Sequence, residues 1–442
     1  MTNLAHLRTA AREIFDEALR SANAADAVRR SIKFSESQFS VCEIPLETDS
    51  IYAVAIGKAA LSMSYALEQS LGQFFNGGVL TGPSPNLAQV EWLSQSRRNW
   101  YVGGHPLPNR ESLSAAADAV GLMQRANREH AKIIFLISGG GSAMMEWPAN
   151  PNVSLADLQE ANRVLVNCGA SISEINSVRR AFSAVKGGKL ASRAPNCDQI
   201  TLIVSDVPDG EEFNVASGPT LKPRAGAPNP LEVIAHYNLR PQLPATVIEA
   251  IESQRDFQME SDSLRERIVL LTNDNSLQSA AAAARQRGCT VEIASEIADQ
   301  QIADGCEQLI ERLTELRSME ESDAPVCVIS GGEFSCPVNG DGIGGRNLET
   351  ALRLAILHSG SHPKSEFVAI CAGTDGIDGN SLAAGAILDS TTIERAALLG
   401  LNPQDFLDRS DAFSFFAALD DVIATGSTGT NVRDVRILLS AR

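Results

Sequence analysis

The chain has 442 residues, of which 44% are apolar and 21% are charged, a composition typical of a globular protein with two or more domains. Its formal net charge of −17 argues against a general nucleic-acid-binding surface, which requires a basic face. A local basic pocket for a small anion remains compatible with that charge. No run of about 18 apolar residues occurs, so no membrane span is predicted.

The N-terminus and the cysteines indicate the compartment. The first residues lack the charged and then apolar pattern of a signal peptide, which predicts a cytoplasmic location. The eight cysteines are scattered, form no C-x-x-C pair, and in several cases lie within apolar runs. Reduced core thiols are therefore favoured over disulfides or a zinc site.

The first half of the chain alternates apolar strands with helices. A helix is predicted at 3–32. The strands that follow are predicted at 51–56, 78–80, 100–102, 132–137 and 200–204. The helices between and after them are predicted at 59–71, 112–126, 154–168 and 174–194. Such alternation is typical of parallel βαβ units in a sheet that helices cover on both faces. The proline-rich segment 222–245 is predicted to be a connector.

Alternation restarts after the connector. Strands are predicted at 267–272, 290–293, 325–329 and 367–371, and helices at 275–287 and 302–318. We therefore expect an α/β protein with mainly parallel sheets in two domains. The N-terminal domain, residues 1–245, is predicted to be Rossmann-like, and residues 246–442 form the second α/β domain.

Glycine-rich polar turns follow many of these strands. Five of them are 57–58, 138–142, 205–210, 340–347 and 373–379. Ligands of open parallel sheets bind outside the carboxyl ends of the strands. Because the turns come from both halves of the chain, the sequence predicts an active site in a cleft between the two domains.

The stretch 340–347 opens directly onto a helix, because apolar residues from Leu348 onwards recur at helical spacing. Free backbone N–H groups and the positive end of the helix dipole favour an anion there. Gly340, Gly342 and Gly345 also match the G-x-G-x-x-G pattern of dinucleotide-binding proteins. The apolar strand should precede that pattern immediately, and here it does not, which disfavours a nicotinamide site.

The polar residues of these turns fit phosphoryl transfer, which needs cations, a carboxylate-held metal ion and a group near the attacking hydroxyl. Lys58 and Arg346 supply cations, and carboxylates such as Asp206 and Asp375 stand at strand ends. The glycines of 139–141 could cradle a phosphate. The full P-loop pattern and the protein-kinase motifs are absent from the sequence.

Each of these residues also has a structural interpretation. A lysine or arginine at a helix N-terminus is unfavourable by about 0.3–1 kcal/mol, which favours function for Lys58 and Arg346. Asp206 and Asp375 could equally cap helices or turns. His105 precedes a proline and is more typical of a turn. On the predicted helix 174–194, the basic residues Arg179, Lys186 and Lys189 would share one face, either solvated or ligand-binding.

These motifs together resemble the glycerate 2-kinases that combine a glycerate-kinase N-terminal domain with a C-terminal MOFRL domain. The matching stretches span nearly the whole chain: Ala55–Ala59, Gly104–Pro106, Ser138–Ser142, Glu174–Arg179, Lys186–Leu190, Ser205–Pro208, Ala216–Thr220, Gly331–Glu333, Gly344–Asn347 with Glu349, Gly373–Gly379 and Gly426–Asn431. The chain departs from the family at Ser427, where proline is common, and at Asp209-Gly210, where the family has Gly-Asp. The second departure weakens a role for Asp209 and leaves Asp206 unaffected.

The resemblance implies ATP-dependent phosphorylation of D-glycerate at the 2-hydroxyl, with Mg²⁺. By it, Lys58, Arg346 and Asp206 are the catalytic residues, and Asp206 and Asp375 are candidate metal ligands. The implied substrate- and phosphate-binding residues are Ser138, Gly139, Gly140, Gly141, Ser142, Arg179, Lys186, Glu333, Gly344, Gly345, Asn347 and Asp375. Small-molecule substrates are the expected partners, and a homodimer is left open.

Two other functions compete with this interpretation. Members of the same family have been labelled hydroxypyruvate reductases, which would place a nicotinamide cofactor at 340–345. A non-catalytic sensor of sugar acids or nucleotides would bind the same ligands without turnover. The sequence does not decide which glycine-rich turn would hold ATP and which would hold glycerate.

Overall fold

The structure, a computed structural model, describes residues 3–35, 38–46, 50–224, 226–254, 263–360 and 365–442. The chain forms two compact units. We call residues 24–270 the N-terminal unit, and the chain up to Asn23 together with 271–442 the C-terminal unit. The predicted α/β class and two-domain organisation are confirmed. The unit boundaries differ from the predicted domains, because the first helix joins the C-terminal unit and the crossover lies near residue 270.

The N-terminal unit contains a three-stranded antiparallel sheet and a six-stranded sheet of order β6-β5-β4-β7-β8-β9. Its strands are β1 (Ile32–Ser35), β2 (Gln38–Val41), β3 (Ile44–Leu46), β4 (Ile51–Ile56), β5 (Phe75–Gly82), β6 (Arg98–Val102), β7 (Lys132–Ser138), β8 (Gln199–Val204) and β9 (Arg265–Leu271). The pairs β6–β5, β5–β4, β4–β7 and β7–β8 are parallel. Every residue of β4 and of β8 is buried, as expected of parallel strands covered on both faces.

Helices flank this sheet. They are α2 (Ala24–Ser31), α3 (Ala60–Leu71), α4 (Leu87–Gln95), α5 (Arg110–Glu129), α6 (Gly141–Met144), α7 (Leu155–Asn167), α8 (Ile172–Phe182), α9 (Pro230–His236) and α10 (Ala245–Glu252), after α1 (Asn3–Ser21) in the other unit. Ser171 begins α8 with a capping box, in which its hydroxyl accepts from the Glu174 N–H. Buried Val233, Leu239 and Leu243 pack with α7, α8 and α10. The predicted connector 222–245 is therefore partly core, because its apolar residues complete this helical cluster.

The predicted helix 174–194 ends early, at Phe182. Gly187 and Gly188 have φ of +64° and +82°, which a right-handed helix cannot contain. Lys189 Nζ donates to the carbonyl oxygens of Arg180 (2.7 Å) and Ser183 (2.6 Å), at the end of α8. The prediction that Arg179, Lys186 and Lys189 share one helical face was wrong, since the two lysines lie in the turn beyond the helix.

The C-terminal unit has a six-stranded sheet of order β10-β11-β15-β12-β13-β14. The strands are β10 (Thr290–Ile293), β11 (Val326–Ser330), β12 (Glu366–Gly373), β13 (Gly385–Asp389), β14 (Val422–Ile423) and β15 (Asp434–Ala441). Only β10 and β11 are parallel, and the other four pairs are antiparallel. Mainly parallel pairing thus holds for the N-terminal sheet and not for this one. Two of the antiparallel pairs involve β15, which the sequence analysis did not identify and which lies between β11 and β12. The other two join β12 to β13 and β13 to β14.

Helices cover this sheet as well: α11 (Asn273–Gln286), α12 (Ile302–Met319), α13 (Arg346–Gly360), α14 (Thr392–Leu398), α15 (Pro403–Asp408) and α16 (Ala412–Ala418). Helix α1 packs with α11 on one face, where Leu7, Ile14 and Phe15 join the apolar side chains of β12 and β15. The predicted helix 3–32 is consequently two helices in different units, α1 and α2. All eight cysteines are free thiols, as predicted.

Candidate functional site

The first candidate site lies at the carboxyl edge of the parallel sheet, where β4 and β7 end side by side. The Lys58 N–H donates to the Gly139 carbonyl oxygen at 2.8 Å, and the Ala59 N–H donates to Ser138 Oγ at 3.0 Å. Gly57, which precedes Lys58, has φ of +116°. The two predicted turns, 57–58 and 138–142, therefore form one contiguous surface, and Ser138 acts in it as a backbone anchor.

Two glycines of this surface, Gly139 and Gly140, have close neighbours where a side chain would lie. A Cβ on Gly139 would stand 1.7 Å from Asp206 Oδ2. On Gly140 it would stand 3.1 Å from both Lys58 Cγ and His105 Cδ2. The structure thus brings together Lys58, Asp206 and His105 around the glycine turn, as the sequence predicted for the first two. The His105–Pro106 peptide bond is cis.

A pocket of about 190 Å³ opens beside this turn. Its polar lining comes from His105, Gly140, Ser142, Asn176, Arg179, Asp206, Asn214 and Ser217, and its apolar lining includes Val166 and Ile172. The Ser217 hydroxyl donates to Asn176 Oδ1 at 2.8 Å, so Ser217 Oγ accepts from Ser142 Oγ, also at 2.8 Å. Among the described residues, the Asn176 amide N–H groups and the Ser142 lone pairs have no further hydrogen-bond partner, so they could bind a ligand.

Arg179 lines the same pocket from the last turn of α8. Its Nε donates to Asn162 Oδ1 at 2.9 Å, and neither Nη atom hydrogen-bonds within the described part of the chain. Burial lowers the pKa of Arg179, while the carboxylate of Glu146 acts to raise it. A guanidinium held at Nε presents its two Nη groups as a fork that fits a carboxylate or phosphate.

Lys186 does not line the pocket. It is 2% exposed and forms a buried ion pair with Glu146, whose other oxygen accepts from Ser183 Oγ at 2.6 Å. Burial lowers the pKa of Lys186, and Glu146 opposes that effect. The sequence predicted that both Arg179 and Lys186 bind a ligand. In the structure Arg179 lines the pocket, whereas Lys186 is ion-paired with Glu146 inside the unit.

The second candidate site lies in the C-terminal unit, around the first residue of α13. Arg346 donates to both carboxylate oxygens of Asp434, from Nε at 2.6 Å and from Nη2 at 3.0 Å. Nη2 also lies 2.9 Å from Glu333 Oε1. These carboxylates raise the pKa of Arg346 against the opposing effect of burial. Arg346 is held rigidly, and Nη1 has no hydrogen bond within the described residues.

Asp378 caps the start of α13. Its Oδ1 accepts from the Asn347 N–H (3.1 Å), and its Oδ2 accepts from the Leu348 N–H (2.8 Å). Burial raises the pKa of Asp378 to about 6, although the two backbone N–H groups lower it. Asn347 Nδ2 also donates to Asp378, at 3.2 Å, whereas Asn347 Oδ1 is buried with no hydrogen-bond partner among the described residues. The backbone N–H groups of Asn347 and Leu348, which the sequence predicted as part of an anion site, therefore already donate to Asp378.

A pocket of about 410 Å³ adjoins Arg346. Its lining includes predicted Gly344 and Gly345 together with Phe334, Val338, Glu349 and Asn380. Asp375 lies at the neighbouring turn, where its Oδ1 accepts from the Ile377 N–H at 3.1 Å. A Cβ on Gly373 would stand 3.2 Å from that Asp375 oxygen and 3.5 Å from Asn347 Nδ2.

The glycines of the dinucleotide-like pattern are explained by packing. A Cβ on Gly340 or on Gly342 would stand 2.5 Å from the Arg409 carbonyl oxygen, and one on Gly345 would stand 2.5 Å from Asp378 Oδ1. Strand β11 ends ten residues before this pattern. The pattern therefore follows from contacts with the unit's own backbone and needs no nicotinamide cofactor.

Within the described residues, no group of three or more His, Cys, Asp or Glu side chains could hold a metal ion. Mg²⁺ is usually held by one or two carboxylates together with substrate phosphates and water. Asp206, against the glycine turn, and Asp375 fit such a single-carboxylate ligand. Asp434 does not fit, because both of its oxygens accept from Arg346.

Several residues of these sites were missed in the sequence. Asn176 and Ser217 lie within stretches that carry the family resemblance, so the motifs could have indicated them. Glu146 gave a weaker signal, a single carboxylate among apolar residues. Asp434 and Asn162 gave none, because their partners are distant in sequence.

Two protein families match different parts of the chain. Residues 10–252 match a domain of unknown function (DUF4147), and residues 326–434 match the MOFRL family. No described helix is both long enough and apolar enough to cross a membrane.

Two curated relatives match over most of the chain. The D-glycerate 2-kinase of Thermotoga maritima is 31% identical, over 89% of this chain and 91% of its own length. A putative hydroxypyruvate reductase of Agrobacterium vitis is also 31% identical, over 87% of this chain and 98% of its own. The crystal structure of glycerate kinase from Thermotoga maritima is 28% identical, covers 98% of this chain and 99% of its own, and superposes with a TM-score of 0.80.

Proposed function

Because this chain belongs to the glycerate 2-kinase family, we propose that it transfers the terminal phosphoryl group of ATP to the 2-hydroxyl of D-glycerate. The observation that carries the proposal is the pocket of the N-terminal unit. It is small, about 190 Å³, and it combines Arg179 with hydroxyl- and amide-bearing side chains in a protein of net charge −17. A three-carbon hydroxy acid has the size and the charge that this lining would bind.

The residues of that pocket fit distinct tasks. The Nη groups of Arg179 would bind the substrate carboxylate as a fork. Asn176 and Ser142 would bind its hydroxyl groups. Asp206, against the glycine turn, would orient the 2-hydroxyl or accept its proton. Lys58 would stabilise negative charge on the phosphoryl group as it is transferred.

The C-terminal unit would contribute Arg346. Asp434 and Glu333 fix its guanidinium, and Nη1 would donate to a phosphate oxygen. Asp206 or Asp375 would hold Mg²⁺ together with the phosphates of ATP. When bound, Mg²⁺ would neutralise charge on those phosphates. The cytoplasmic location and a homodimer stay predictions.

The test is an assay of the purified protein with D-glycerate, ATP and Mg²⁺ that follows ADP release and locates the phosphate by phosphorus NMR. We expect a 2-phospho product, and we expect Lys58→Ala and Arg346→Ala each to reduce kcat by about 100-fold or more. Arg128→Ala, which removes an exposed cation of α5, is the matched control and should retain full activity.

Three outcomes oppose the proposal. Absence of ADP release from well-folded protein would reject the kinase. NADPH oxidation with hydroxypyruvate would support a reductase, the activity named for the Agrobacterium relative. Binding of D-glycerate without turnover in either assay would indicate a sensor.

A further inference from the structure

Glu146 is the carboxylate around which the cations below the pocket are arranged. It is completely buried, and it follows α6 immediately after Met145. Lys186 is ion-paired with Glu146 Oε2, while Glu146 Oε1 accepts from Ser183 Oγ at 2.6 Å and from the Trp147 N–H at 2.9 Å. Glu146 therefore has both an ion-pair partner and hydrogen-bond donors inside the unit, as a buried carboxylate requires.

Two further cations lie within the electrostatic reach of Glu146. The carboxylate acts to raise the pKa of Arg179 and of Lys189, against the larger opposing effect of burial. Lys189 is held by the carbonyl oxygens of Arg180 and Ser183. Arg179 is held only at Nε, by Asn162, among the described residues. Arg179 is therefore the cation that would turn towards Glu146 if the carboxylate lost its present partner.

We propose that Lys186 is a positioning residue: it neutralises Glu146 and so leaves the Nη groups of Arg179 to the carboxylate of the substrate. This inference rests on the proposed function, and it gives Lys186 an indirect task instead of contact with the substrate. Direct contact disagrees with the structure, because Lys186 is almost wholly buried and the pocket lining does not include it.

The experiment is a double-mutant cycle on Glu146 and Lys186, read as steady-state constants for D-glycerate and ATP. In Lys186→Met, Glu146 loses its ion-pair partner, and Arg179 takes the place of that partner. KM for D-glycerate should then rise by about 10- to 100-fold, the range expected for a lost charge-assisted hydrogen-bonded contact. KM for ATP and kcat should change less than about threefold, since the phosphoryl-transfer groups are unaffected.

The second variant reverses the defect. In Glu146→Gln/Lys186→Met no buried carboxylate remains to attract Arg179, and KM for D-glycerate should return to within about threefold of the wild-type value. Glu146→Gln alone should also keep KM near wild type. A direct or purely structural role for Lys186 predicts instead that the double variant is at least as impaired as Lys186→Met, and that result would overturn the inference.

Folding and function are controlled separately. Circular dichroism establishes that each variant is folded. If Lys186→Met does not fold, the double variant decides alone, because a tenfold rise in its KM would show that Lys186 itself is needed. If the wild-type protein releases no ADP, the proposed kinase fails, and the cycle is then measured as D-glycerate affinity by calorimetry, with the same expected order of the variants.

Discussion

Replacing Asp434 with asparagine should loosen Arg346 and destabilise the C-terminal unit. Asp434 is fully buried and accepts two charge-assisted hydrogen bonds from Arg346, at 2.6 and 3.0 Å. Asparagine retains one acceptor and places an N–H group against the other guanidinium donor. Losing one such bond costs about 1.5–3 kcal/mol. Because the Arg346 side chain is one-third exposed, we expect the lower part of that range, about 2 kcal/mol.

A loss of about 2 kcal/mol corresponds to a fall of about 4–8 °C in the Tm of a unit of this size, measurable by scanning calorimetry. The matched control is Glu333→Gln, which removes the one-third-exposed partner of Arg346 and should cost less than about 1 kcal/mol. Arg346→Ala should cost the most, about 3–5 kcal/mol, because it leaves Asp434 charged and buried. Equal Tm values for Asp434→Asn and Glu333→Gln would refute this reasoning.

Two further predictions concern a glycine turn and a titrating carboxyl. Gly139→Ala should reduce kcat by about 100-fold, because its Cβ would displace the Asp206 carboxylate. The control is Gly121→Ala, at a position on α5 where the new Cβ has open space. It should leave kcat unchanged and stabilise the protein by about 0.5–1 kcal/mol. Equal activity of the two variants would contradict the proposed role of Asp206. Burial raises the pKa of Asp378 to about 6, so the carboxyl keeps its proton to higher pH in the folded protein than in the unfolded chain. The free energy of unfolding should therefore fall by about 1 kcal/mol between pH 5 and pH 7. Asp378→Asn should remove this pH dependence in urea titrations, and an unchanged slope would show that another group titrates.

The local features of the sites were readable in the sequence. The run Lys132–Ser138 followed by three glycines predicted both a buried parallel strand and a ligand-binding turn, and the structure places Asp206 and Lys58 at that turn. These signals are local, since apolar periodicity and glycine content are properties of consecutive residues.

Long-range partners were not readable. Arg346 is paired with a carboxylate 88 residues away, and Lys186 with one 40 residues away, so that neither charge could be assigned to a ligand or to a partner beforehand. Strand β15 was missed for a related reason: the charged Arg436 interrupts its apolar run. In the structure Arg436 is buried over the Phe334 ring, 3.5 Å from its centroid, and donates to Ser330 Oγ.

Helix α1 and strand β15 give the C-terminal unit an unusual order of synthesis. On the ribosome, α1 is synthesised before the N-terminal unit, yet the sheet against which Leu7, Ile14 and Phe15 pack cannot close until β15 inserts between β11 and β12. The nascent chain would thus expose the apolar face of α1 while the whole N-terminal unit is translated and folds. We expect chaperones that bind short apolar helices to retain this protein until β15 has been synthesised. A circular permutant that moves α1 behind β15 should shorten that dependence.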